Sequence, residues 1–214
     1  MYDEASLRYH EALPRNEGII CVGKGGQAKA LTDVVDSITS YSVSRQGKLT
    51  IAEYVDYDDL EVEPERTYVI GFGSLKNLKK RQEVAEQILD GGGKLGVVVA
   101  PTAYVSPQAS LAPGTVVMHN AYVGPGVVIG ENVLINSGAV VEHDSVIGNH
   151  SLILTNSTVN GQCVIGDRCM IGSTAVLLHG VVLAHDVILG AGAVAIRSLT
   201  SRGTYVGCPA RRLR

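Results

Sequence analysis

The segment VVEHDSVIG, residues 140–148, sets a histidine between two acids, Glu142–His143–Asp144, inside a run otherwise built from valine and isoleucine. Carboxylates beside an imidazole fix its tautomer and stabilise the imidazolium, so the ring stays competent to take a proton as a general base. Asp144 is the expected orienting acid. Glu142, in a slot that usually holds glycine or asparagine, either assists the base or grips an acceptor. The rival histidines are His119, His179 and His185, and choosing among the four depends on the elements that carry them.

Those elements repeat. Counting by sixes from Val99 to Ala195, every residue is Val, Ile, Leu or, at the last step, Ala; the residues four further on, from Ala103 to Ala193, are all small or β-branched. A six-residue period with Gly, Asn or Asp at the corners describes a triangular parallel β-helix, three hexapeptides per 18-residue coil. Coils stack at the strand spacing of about 4.8 Å, so residues 18 apart lie one above the other. All four histidines fall two residues after an inward position, hence at corners with outward side chains. His143 and His185 each precede an aspartate. Above His143 lies Gly161, which has no Cβ to block a thioester; its N–H meets an oxyanion in one reading and merely serves a tight corner in the other.

Residues 18–98 follow a different pattern. GIICV is a short apolar strand, a glycine turn follows, and then a helix with apolar positions at helical spacing. Strands are expected at KLTIAEYV and TYVIGFG, a helix at SLKNLKKRQEVAEQILDGGG, and KLGVVVA leads into the β-helix. This is a half-Rossmann α/β unit. Its turn, Gly23–Lys24–Gly25–Gly26–Gln27–Ala28, matches G-x-G-x-x-[G/A], which brings backbone N–H groups to a phosphate or simply permits a tight strand-to-helix turn. One mononucleotide half suits one nucleotide diphosphate better than a whole dinucleotide. Ligands of open α/β sheets bind beyond the carboxyl ends of the strands, where Gly25, Gly26, Gln27, Asp56 and Gly73 all fall. Residues 1–17 are polar and unpatterned and are expected to be an extension, so the expected domains are 18–98 and 99–214.

Composition narrows the function. The 214 residues are 45% hydrophobic with a formal charge of −3, 25 glycines, one Phe and no Trp, which suits stacked strands with an aliphatic core. There is no long basic run for nucleic acid, although Arg202, Arg211, Arg212 and Arg214 cluster at the end. Cys21, Cys163, Cys169 and Cys208 lie far apart without a C-x-x-C, which indicates neither a disulfide framework nor a zinc knuckle. No apolar run nears the roughly 20 residues of a membrane span, and a cytoplasmic protein is expected.

With the glycine turn, NSGAVVEHDSVIG and the closing YVGCPARRL, the chain resembles, over residues 18–213, the sialic acid O-acetyltransferase type of sugar acyltransferase, which includes N-acetyltransferases of nucleotide-linked 4-amino sugars. The resemblance implies a left-handed helix, a homotrimer with sites between neighbouring β-helices, and acetyl-CoA as co-substrate along the groove, touching Gly161, Leu152, Ser173 and Ala191. It maps the base to His143 and the orienting acid to Asp144. Gln27 departs from the histidine that relatives often carry in the glycine turn. A CoA with its adenine near the last coils needs about 15 Å for its pantetheine arm; His143, three coils below Ala195, leaves roughly 14 Å, and His185, in the last coil, leaves none. The expected activity is N-acetylation of a nucleotide-activated amino sugar in bacterial surface-glycan synthesis. The alternatives are O-acetylation of sialic acid, a gamma-type carbonic anhydrase-like zinc enzyme, for which His179 and His185 are poorly spaced, and a non-catalytic trimeric scaffold.

Overall fold

A computed structural model describes residues 9, 13, 18–41, 49–73 and 78–213. The apolar IICV forms β1 (Ile19–Val22), buried at every residue. After the glycine turn comes α1 (Gly26–Tyr41), whose Leu31, Val34, Val35 and Ile38 recur at helical spacing and are buried on one face. β2 (Ile51–Val55), β3 (Thr67–Ile70), α2 (Leu78–Asp90) and β4 (Lys94–Leu95) complete a parallel sheet of order β2-β1-β3-β4. With β1 central, the carboxyl ends of three strands bring Gly23, Asp56 and Gly71–Gly73 to one rim. Lys48 of the expected second strand, Ser74–Asn77 of the expected second helix and Arg214 lie outside the described residues. The expected extension is partly in the fold: Leu13 is buried in the core beside Gly96. An isolated leucine in a polar stretch gives no periodicity by which to find it.

From Val98 onward the chain winds into a parallel β-helix with three faces. The first face stacks Val98–Val99, Val116–Val117, Leu134–Ile135, Leu152–Ile153, Met170–Ile171, Val187–Leu189 and Gly203–Val206. The second runs from Tyr104–Val105 through Tyr122–Val123, Val140–Val141, Thr158–Val159 and Val176–Leu177 to Val194–Ala195. The third runs from Ser110–Leu111 through Val128–Ile129, Val146–Ile147 and Val164–Ile165 to Val182–Leu183. Every stacked pair differs by 18 up to Leu183, Ala195 and Leu189, as the hexapeptide count requires.

The corners explain the polar half of the repeat. At every sixth residue from 114 to 192 the backbone is left-handed, with φ between 52° and 78°, and the occupants include Gly, Asn and Asp, the residues that tolerate this region best. Asp144 occupies one such slot. Glu142 stands in a different slot, where several turns carry glycine for another reason: at Gly148, Gly166 and Gly172 a Cβ would come within about 2.7 Å of the backbone one coil up.

The α/β layer lies on the first face and the edge it shares with the second. Gly73 abuts Leu134 and Leu152, Gln27 reaches Met118 Sδ at 3.9 Å, and Asp33 lies 3.4 Å from His119. On the opposite side the joint is Arg81 of α2, fully buried. Its Nη1 donates to the carbonyls of Ile70 (3.0 Å) and Phe72 (2.7 Å), and its Nε donates to the carbonyl of Asn132 (3.3 Å) in the β-helix. Asn132 Nδ2 donates back to the carbonyl of Arg81 at 3.1 Å and also meets Nδ1 of His150. Burial and the neighbouring guanidinium hold His150 below the ordinary histidine range, which leaves Nδ1 free to accept. Arg81→Ala strips hydrogen bonds from three buried carbonyls and opens a cavity. It is expected to lower the unfolding free energy by about 3 kcal/mol or more, measured by urea denaturation.

Candidate active site

His143 and Asp144 meet as a pair at the edge between the second and third faces. Nδ1 of His143 lies 2.9 Å from Asp144 Oδ2. The carboxylate accepts from Nδ1–H, and Nε2 keeps its lone pair. Glycines flank the pair above and below. A Cβ on Gly161, one coil up, would lie 2.5 Å from His143 Nε2, and one on Gly126, one coil down from Asp144, would lie 2.5 Å from its Oδ1. The bare corner at 161 leaves Nε2 open to the groove, and among the described residues the Gly161 N–H has no acceptor. His179, two coils above His143, reaches down over the gap to a ring separation of 6.2 Å.

The His185–Asp186 pair looks equivalent in sequence and is not. Asp186 is taken by Arg168, one coil below it, at 2.7 and 3.0 Å, while His185 Nδ1 accepts from the N–H of Asp167 at 2.9 Å. The residue one coil below Asp144 is Gly126, which has no side chain to claim the carboxylate, so it turns to His143. His119 is not a free outward corner either: it is half-buried between Thr102 and Asp33. Among the described residues, no three His, Cys, Asp or Glu side chains converge as a metal site would require.

The expected cofactor contacts divide. Gly161 adjoins the pair, but Leu152 is fully buried on the first face under Gly73 and faces no open groove. This corrects the expectation; position in the repeat does not reveal that a second layer covers that face. Ser173 and Ala191 lie on the edge between the first and second faces, away from the His143 edge of the same chain. Two residues not singled out above do share the His143 edge: Leu178 and Ile196, 43% and 50% exposed, climb it above Gly161. A large aliphatic in the slot that the coils below fill with Ser106, Gly124, Glu142 and Asn160 was the available signal.

At the rim of the α/β sheet the glycines differ in kind. Gly23 is required by the backbone, with φ 115° and Gly71 O only 3.2 Å from where a Cβ would sit. Gly25 and Gly26 adopt no left-handed φ, and a Cβ on either would meet nothing within 4 Å. Their missing side chains leave open the first turn of α1, whose N–H groups have no intrahelical acceptor. Beside it a cavity of about 260 Å³ is lined by Lys24, Ala28, Lys29 and Tyr54, with Tyr54 hydrogen-bonded to Thr32. Two lysines at a helix N-terminus suit a diphosphate. Gln27 is drawn toward Met118, and Asp56 is occupied in part by capping the turn Tyr57–Asp59 through the N–H of Asp58. Gly73 faces the β-helix rather than the rim opening.

The family model described as the GMPPB C-terminal domain matches residues 96–201, within the β-helix. No curated protein sequence matches the chain. Among solved structures, it is similar to the acetyltransferase domain of PglB from Neisseria gonorrhoeae FA1090 in complex with acetyl coenzyme A, at 27% identity and TM-score 0.79, over 92% of this chain and 100% of that one. It is similar also to PerB from Caulobacter crescentus in complex with CoA and GDP-perosamine, at 26% identity and TM-score 0.80, over 94% and 99%. WeeI from Acinetobacter baumannii AYE shares the fold at 18% identity and TM-score 0.58, over 92% and 99%.

Gly161→Ala tests whether the gap above the ring matters. Residue 161 has no left-handed φ, so alanine is tolerated by the backbone, yet its Cβ collides with the imidazole. We expect kcat for acyl transfer to fall at least about tenfold, with the thermal midpoint shifted by only a few degrees.

Proposed function

We propose that this hexapeptide-repeat acyltransferase transfers an acetyl group from acetyl-CoA to the amino group of a nucleotide-linked sugar. The observation that carries the reading is the His143–Asp144 pair at 2.9 Å, open at Nε2 and roofed by a glycine. The two similar acetyltransferase and CoA-bound structures, which align over nearly the whole chain, support the chemistry and the acceptor class.

In this reading the amine nitrogen, neutral at the moment of attack, adds to the thioester carbonyl as His143 Nε2 takes its proton. Asp144 stabilises the imidazolium, and the Gly161 N–H meets the oxyanion. Collapse expels the CoA sulfur, which regains a proton from His143, and leaves the amide. Leu178 and Ile196 give the pantetheine arm an apolar track along the edge. Ser173 and Ala191, on the other edge, reach the same CoA only from a neighbouring chain. This favours the homotrimer, as does the row of exposed valines on the third face, Val128, Val146, Val164 and Val182. We further read the helix as left-handed, residues 18–98 as a half-Rossmann nucleotide-sugar domain and 99–214 as the acyltransferase domain. The protein works in the cytoplasm, where nucleotide sugars and acetyl-CoA are made. Gly25, Gly26 and Gln27, with Lys24 and Lys29, hold the diphosphate, and Asp56 meets ribose or base.

Two measurements test this. His143→Ala is expected to lower kcat by about 10²–10⁴ with little change in acetyl-CoA affinity, and Asp144→Ala to cost less; near-normal turnover by His143→Ala, assayed as CoA release, would refute the assignment of the base. Gly26→Val, for which the unliganded protein has room, is expected to raise KM for the nucleotide amino sugar and to spare the poorer turnover of the free sugar. Equal turnover of both sugars, unaffected by the valine, would return the acceptor to free sialic acid and its O-acetylation.

A further inference from the structure

The corner column that carries His143 holds a second imidazole. His143, Gly161 and His179 occupy one slot on successive coils, and two coils span about 9.6 Å along the axis. The two ring centroids are nevertheless only 6.2 Å apart, with the planes tilted by 42°, so the rings lean toward each other across the bare corner of Gly161. A Cβ on Gly161 would meet Nε2 of His143 first, at 2.5 Å, then Cε1 at 2.7 Å and Cδ2 at 2.9 Å. The tip of the ring therefore stands at the gap, while Nδ1 is turned to Asp144 at 2.9 Å. Both rings are exposed, and among the described residues no hydrogen bond occupies either nitrogen of His179.

We propose that His143 Nε2 and His179 chelate a single divalent transition-metal ion of the zinc type, which blocks the base reversibly. Imidazole nitrogens bind zinc at about 2.0–2.1 Å, so two rings on one tetrahedral ion have centroids roughly 5 Å apart. The rings here are about 1 Å further apart than that, a gap that small side-chain rotations of two exposed histidines close. A histidine ligand ordinarily gives its other N–H to a carboxylate, which fixes the tautomer and raises the basicity of the ligating nitrogen; Asp144 already stands in that place. A base and a ligand need the same thing of His143, an open lone pair on Nε2. Two imidazoles fall short of the three protein ligands of a catalytic zinc and the four of a structural one. With water in the remaining positions they hold an exchangeable ion. His185 offers no such pair, because its Nδ1 is taken by the N–H of Asp167. The binding site stands on geometry alone; its effect on turnover rests on the N-acetyltransferase reading.

The test begins with zinc titrated into the metal-free protein, without an affinity tag, by isothermal calorimetry. One saturable site per chain is expected. His143→Ala and His179→Ala should each abolish it, Asp144→Asn should weaken it about tenfold, and His185→Ala should leave it unchanged. If His179→Ala fails to fold, His143→Ala carries the test. No saturable binding overturns the site, and so does binding that survives the loss of either histidine. Acetyl transfer, followed by the mass of the sugar product, is expected to stop when the site fills and to return with a chelator. His179→Ala keeps His143 and Asp144, so it should turn over without zinc and resist concentrations that silence the unaltered protein. Transfer that continues with the pair loaded overturns the block. Zinc bound at the pair in a protein that acetylates no nucleotide amino sugar would instead overturn the N-acetyltransferase reading and leave the site standing.

Discussion

Parallel stacking at an 18-residue period is the constraint on which the rest depends. Each short strand has its hydrogen-bond partners one coil up and one coil down, and the register is kept by a left-handed corner at every sixth residue. Once that register is fixed, the neighbours of a side chain are set by the residues 18 before and 18 after it more than by those beside it in sequence. An aspartate above an arginine becomes a structural ion pair. An aspartate above a glycine is free to serve a histidine.

That difference separates His143 from His185. Both are followed by aspartate in the same left-handed slot, where aspartate is an ordinary choice for the turn. Arg168 below Asp186 holds the carboxylate of one pair in the fold and draws its pKa down, and Gly126 below Asp144 leaves the other available. The same logic works upward: Gly161 leaves the His143 ring an open side, and two coils up His179 closes over it. The candidate site is thus made as much by two absent side chains, at 126 and 161, as by the pair itself.

Much of this was legible from the period. Strand positions, coil corners and the vertical relation of His143, Gly161 and His179 all follow from counting, because the repeat carries no insertion. The period was silent on what covers the outside of the helix. Leu152 reads as an ordinary outward residue, and only the α/β layer, which places Gly73 against it, removes it from the surface. His119 was hidden in the same way by Asp33. In the α/β layer the glycine motif was visible, but the division between Gly23, which the backbone needs, and Gly25 and Gly26, which it does not, lies in φ angles and free space that a motif does not encode. Lys29 and Tyr54 went unnoticed because they fall on a helix and an edge strand that meet only in three dimensions. Leu13, alone in a polar segment, had no pattern to betray it.

If the α/β layer holds the nucleotide, as proposed, it must stay at a fixed distance from the His143 corner of the β-helix. Apolar packing of the α/β layer on the first face is broad but has no direction, and a layer resting on Leu134 and Leu152 alone could slide along the coils with little change in buried area. Arg81 removes that freedom. Its guanidinium binds the carbonyls at the end of β3 and that of Asn132 at one particular corner, and the return bond from Asn132 fixes the helix that carries it. Among the described residues the charge has no carboxylate partner, so its burial is costly and is offset only while all three carbonyls stay in place. A shift by one coil would replace Asn132 with Gly114 or His150, neither of which carries the side-chain amide that donates back to the Arg81 carbonyl. The same buried charge that weakens the fold in isolation therefore selects a single register of the two layers, and with it the span of the second face between the glycine turn and His143.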